Sequence, residues 1–180
     1  MGTTKLLITT LLLSLSLNTI PVNMQESDWA YVEQNQIERM IKVVEPTLEE
    51  TNANKIAKLI HYTSKRYDID PKIIVSIIDT ESDFRHHKVS SSGDISLAQI
   101  NPKVWNAEFK RLGLGELDIQ QLKKSERYAL IKMGQILNDL KTKYAHKDDK
   151  WFARYHSRTK SLKTTYANKV ELRMRKIASL

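Results

Sequence analysis

DPKIIVSIIDTES, residues 70–82, is the stretch on which the reading of the fold turns. Asp70 followed by Pro71 marks a helix start. The Asp side chain can accept from the free N–H groups of the first turn. Pro gives up no useful N–H there, and its φ already suits a helix. Ile73, Ile74, Ile77 and Ile78 then recur at helical spacing and lay down an apolar stripe. Glu81 lies seven residues after Ile74, four after Ile77 and three after Ile78, so it continues that stripe. Asp79, Ser82 and Asp83 take the solvent-facing positions on this reading. A carboxylate on an apolar face is partly desolvated, which disfavours its charge. It also stands near a helix C-terminus, where the dipole is negative. Both effects raise its pKa. An acid still protonated near neutral pH is what glycosidic cleavage needs from a general acid. The same spacing also fits a Glu turned to the rim as its helix ends.

The chain that follows, RHHKVSSSGDIS at residues 85–96, loses the helical period and reads as a loop. Phe84 is placed to wall a pocket. Ser90, Ser91 and Ser92 precede Gly93, which permits a turn. Leu97 and Ile100 return to apolar packing and leave Gln99 between them. A carboxylate, a hydroxyl-rich turn and an amide suit a carbohydrate site, although serines of this kind also fit a solvated loop.

Most of the remaining chain also reads as helix. Residues 29–44 form an acidic amphipathic pattern with Tyr31, Val32, Ile37, Met40 and Ile41 as its stripe. A second helix has Thr51 or Asn52 as N-cap and carries Ile56, Leu59, Ile60 and Tyr67. Short helical pieces surround Pro102, and Gly113 and Gly115 break the chain. The longest pattern covers 124–145, with Tyr128, Met133, Ile136, Leu137, Leu140 and Tyr144 at helical spacing. WFARYHS and TTYANKVELRMRKIA read as two closing helices. No segment alternates as a strand, so the expected fold is mainly α.

Composition narrows the function. With 41% apolar and 28% charged residues, the chain of 180 is not largely disordered. It has no Cys, which excludes disulfides, thiolate metal sites and thiol nucleophiles. Residues 6–17, LLITTLLLSLSL, follow Lys5 and are too short to span a bilayer comfortably. They fit the core of a signal peptide over 1–22, with the cut between Ser16 and Asn23, or else a short uncleaved anchor. The expected location is exported, in the periplasm or cell envelope.

The net charge of +8 is unevenly spread. Residues 26–51 hold seven acids and two bases, whereas 52–180 hold 26 bases and 14 acids. The acidic N-terminal segment, 23–51, is therefore set apart from a basic domain at 52–180 and fits a regulatory cover docked on it. The basic domain calls for an anionic partner, unless its lysines simply form a solvated face.

The stretch ESDFRHHKVSSSGDISLAQI resembles, without a gap, the signature of the soluble lytic transglycosylases of glycoside hydrolase family 23. Glu81, Ser82, Phe84, Ser90, Gly93, Leu97, Gln99 and Ile100 carry the match. Downstream, RYHSRTKSLKTTYANKV is similar to the family's second motif, with Tyr155, Tyr166 and Val170 in place. The resemblance covers about residues 52–177. It implies a lysozyme-like helical domain with a catalytic cleft, and peptidoglycan glycan strands as substrate. The bond between N-acetylmuramic acid and N-acetylglucosamine would be cut to leave a 1,6-anhydromuramyl end. Glu81 would serve as the single acid and base. Ser90, Gln99, Phe84 and His156 would line the site, and Tyr155 would hydrogen-bond Glu81. No cofactor, no metal and no nucleic acid is implied, and a monomer is expected. The small size is compatible with service to a cell-envelope secretion assembly.

Departures from the family pattern leave rivals standing. Asp94, Ile95 and Ser96 replace the usual Ala-x-Gly, Ala98 replaces Met, and His156 and Arg158 replace Asn and Gly. Asp94 can supply the second carboxylate of a lysozyme-like hydrolase. A non-catalytic glycan-binding module is the other alternative, against which the intact Glu81 argues. The histidines show no ligand spacing that would hold a metal. No recognised nucleic-acid-binding motif accompanies the Lys/Arg-rich C-terminus.

Overall fold

A computed structural model describes residues 26–180, with side chains from Asp28 onward. The expected signal peptide and its cleavage site lie outside the described residues. Among the described residues seven α-helices follow in order: α1 Glu26–Val44, α2 Glu50–Tyr67, α3 Pro71–Ser82, α4 Pro102–Arg111, α5 Ile119–Lys124, α6 Glu126–Tyr144 and α7 Lys160–Ile177. A 3₁₀ turn at Trp151–Tyr155 joins α6 to α7. Among the described residues there is no strand, only isolated antiparallel bridges joining Val89 to Ile95 and Ile95 to Ile100. No helix among them is long and apolar enough to cross a membrane. The fold is mainly α, as the periodicity predicts.

Helix α3 is the centre of the packing. It starts as expected: the Asp70 side chain accepts from Lys72 N, with Pro71 in the first turn. Ile74, Ile77 and Ile78 are buried, and α1, α2 and α7 pack around the helix. Helices α2 and α6 pack on one another beside it. There Gly134 of α6 lets the Tyr67 ring and the Thr63 methyl approach closely. The acidic α1 buries Ile37 and Ile41 in the same core. Its described part is thus an integral layer of the domain. Glu33 on its outer side meets Lys65 at 2.6 Å and His61 at 2.8 Å, both from α2.

Four local expectations differ. Tyr31 and Val32, expected on the α1 stripe, are 65% and 38% exposed, because the core meets the helix only from Ile37 onward. Helix α2 begins at Glu50 with Glu49 as N-cap, and Asn52 turns its amide to the Glu49 carboxylate. WFARYHS makes one 3₁₀ turn instead of a helix, since Trp151, Phe152 and Tyr155 all bury their rings within five residues. Asp79 and Ser82, expected at the surface, are buried. Helix α7 covers the first, where Arg173 Nε donates to the Asp79 carboxylate. The loop covers the second, and Ser82 Oγ donates to Ile78 O at 3.1 Å and Leu97 O at 2.7 Å.

Candidate active site

The end of α3 builds the site. Asp83 and Phe84 both adopt left-handed backbone, φ 50° and 58°, which terminates the helix and turns the chain back over it. Residues 85–100 then fold across the last turn. The loop is held by Ile95 and Ile100, which exchange two backbone hydrogen bonds at 3.0 Å. Ser96 and Gln99 also take positive φ, at 75° and 47°. Ser96 thus holds a conformation that favours glycine, the family's usual residue there. Its hydroxyl offsets part of the strain by accepting from Ala98 N at 3.2 Å.

These turns enclose a cleft of about 250 Å³ lined by Glu81, Ser92, Asp94, Gln99, Asn101, Val104, Trp105, Tyr155 and His156. Glu81 is half-buried at its inner wall. Burial raises its carboxyl from 4.5 to about 7. The Tyr166 hydroxyl opposes the rise by donating to Glu81 Oε1 at 2.6 Å, the Asp94 charge adds to it, and Lys88 and Lys169 work against it. Lys88 Nζ donates to the Glu81 backbone carbonyl, which ties the last turn of α3 to the loop.

Asp94 is held differently. Burial works against its charge, but the donors around it prevail and keep the carboxyl below its usual range. Ser90 Oγ donates at 2.6 Å, Ser92 Oγ at 2.9 Å and Asn101 Nδ2 at 3.0 Å. The cleft therefore sets a carboxyl that titrates at about 7 beside one held below its usual range. Divergent environments of this kind separate acid from anion in glycosidic sites.

The expected site residues fall into two groups. Glu81, Gln99, Tyr155 and His156 come together at the cleft. Gln99 braces the loop, its Nε2 donating to Ser96 O at 2.8 Å and Lys88 O at 3.0 Å. His156 stacks on Tyr166 with ring centroids 4.7 Å apart and planes within 5°. Desolvation against that ring lowers its pKa, despite the opposing pull of Asp94. Phe84, by contrast, is buried in the core and does not wall the cleft, because its left-handed backbone turns it inward. Ser90 buttresses Asp94, and Ser92 is the serine at the cleft.

The part expected of Tyr155 falls to Tyr166. Tyr155 OH donates to Ala98 O at 2.7 Å and so pins the loop, while Tyr166 reaches Glu81. Tyr166 was legible only as a motif position. Asn101, Val104 and Trp105 were also missed, since they enter the cleft from the start of α4, whose place beside the loop no local pattern signals.

A half-buried carboxyl that titrates at about 7, in a cleft of a helical domain, can both give and take a proton. Residues 58–175 match the Transglycosylase SLT domain family, and the chain belongs to it. That membership makes it, in general terms, a peptidoglycan transglycosylase with a lysozyme-like fold. No curated protein matches the chain.

Proposed function

We propose that the protein cleaves the β-1,4 bond between N-acetylmuramic acid and N-acetylglucosamine and leaves a 1,6-anhydromuramyl end. The observation that carries this reading is the Glu81 carboxyl, raised to about 7 by burial at the cleft wall. In the first step Glu81 gives its proton to the bridging oxygen, and the C1–O bond breaks as the N-acetylglucosamine hydroxyl leaves. Positive charge builds at C1 and the ring oxygen. The ionised Asp94 stands in the same cleft to stabilise it electrostatically. In the second step the Glu81 carboxylate takes the proton of the muramyl 6-hydroxyl as its oxygen bonds to C1. The acid is thereby restored, and no water is consumed. Tyr166 supports both steps: its hydrogen bond eases formation of the carboxylate without abolishing the acid.

A second reading, lysozyme-like hydrolysis, has Asp94 in its favour, as an ionised carboxylate on the same cleft. Mass spectrometry of muropeptides released from purified peptidoglycan separates the two, with Glu81→Gln alongside. Anhydromuramyl ends that vanish in the variant are expected. Reducing ends that vanish in it would replace the first reading by the second. Cleavage that survives Glu81→Gln would sink both.

The apolar run at 6–17 supports export to the periplasm or cell envelope, where this substrate lies. Action as a monomer, or within a secretion assembly that opens the wall locally, fits the small size.

A further inference from the structure

Three cations bear on the last turns of α3, and two are committed. Lys88 Nζ donates to the Glu81 backbone carbonyl. Arg173 donates to the Asp79 carboxylate and, through Nη1, to Lys169 O at 3.1 Å. Lys169 is the third. No ion pair or hydrogen bond engages its ammonium among the described residues. Its position is nonetheless set. Tyr166, Lys169 and Arg173 follow at intervals of three and four, so they share one face of α7. Tyr166 on that face touches Glu81, and Arg173 touches Asp79, two residues earlier on α3. Lys169 is exposed between them on α7. Its charge reaches both Glu81 and His156.

A cation there raises a chemical question. It favours the ionised form of Glu81, against the general acid's need. A glycan backbone of N-acetylated sugars offers it no negative charge. The peptide attached to the muramyl sugar does, through its carboxylates. We propose that Lys169 is a specificity-determining residue that takes a carboxylate of this stem peptide and so selects peptide-bearing strands over neutral glycan. The proposal rests on the reading of the substrate given above. Pairing also neutralises Lys169 once the strand is bound, which leaves Glu81 the better acid in the complex than in the free protein.

The test is a binding measurement, which keeps it separate from turnover. Full-length Glu81→Gln protein is titrated with soluble, uncross-linked peptidoglycan strands, native or with their peptide carboxylates amidated. The Lys169→Ala and Lys169→Arg changes are each added to that background. An exposed ion pair of up to about 1 kcal/mol corresponds to roughly 5-fold in Kd. Amidation should weaken binding by about that factor, and Lys169→Ala should weaken binding of native strands equally while leaving amidated strands unaffected. Lys169→Arg should restore most of the preference. An equal loss on both strand forms would mean a structural role and overturn the proposal. So would undiminished preference in Lys169→Ala, or no binding of either form. Failure of the wild type to cleave would count against the proposed function instead, whatever the strand preference.

Discussion

Replacing Glu81 by Gln should stabilise this protein while removing its chemistry. Burial lifts the carboxyl from 4.5 to about 7 in the folded chain. In the unfolded chain water solvates the same group, which then ionises near 4.5. Below 4.5 both states keep the proton, and the group does not affect stability. As the pH climbs from 4.5 to about 7, the unfolded chain releases its proton first and gains on the folded state. Beyond that both are ionised and the penalty is constant. The raised affinity for the proton is worth roughly 3 kcal/mol, at about 1.4 kcal/mol per pH unit. Gln does not titrate, has nearly the same volume, and still offers an oxygen to the Tyr166 hydroxyl. For a domain of this size the gain is about 6–12 °C in Tm. The assay is thermal unfolding of both proteins by circular dichroism from about pH 4 to about pH 8. The difference should be near zero at the acid end and reach its full value at the alkaline end. A difference that does not change with pH, or a wild type more stable at pH 8, would refute the claim that burial sets this carboxyl.

Three further outcomes follow from the packing. Tyr166→Phe removes the donor that favours the Glu81 carboxylate, worth about 1.5 kcal/mol, so the alkaline limb of the kcat/KM profile should move up by about one pH unit; an unmoved limb in a folded variant would assign Glu81 another partner. Ile41→Ala should lose about 2–5 kcal/mol in urea unfolding, because α1 belongs to the core; a loss under about 0.5 kcal/mol would make α1 a loosely held cover after all. Gly134→Ala should destabilise by about 1–3 kcal/mol despite the better helix propensity of Ala, since its methyl would press on the Tyr67 ring and the Thr63 methyl; a more stable variant would mean that α2 and α6 have room to part.

The place of Glu81 on the α3 stripe was readable from the chain because its causes are local. Asp70 and Pro71 start α3, the isoleucines orient it, and Glu81 falls on the buried stripe by count alone. Other features depended on what packs against that helix. Asp79 and Ser82 count as solvent-facing only if nothing covers their side, and α7 and the returning loop do. The motif held two tyrosines eleven residues apart, and no spacing rule says which one reaches the carboxyl. That was decided by the docking of α7 along α3, which brings Tyr166 to Glu81 and leaves Tyr155 to the loop carbonyl of Ala98. Ser90 and Ser92 divided their roles in the same way, once Gly93 had turned the chain and brought Asp94 back onto both hydroxyls.

Helix start, stripe and the place of Glu81 on it are thus properties of the one-dimensional pattern, because i to i+4 geometry is the same in every helix. The ionised Asp94, the tyrosine at the acid and the uncommitted Lys169 are properties of the assembled molecule. Each arises from residues far apart in the chain, whose meeting is set by which faces the core leaves in contact.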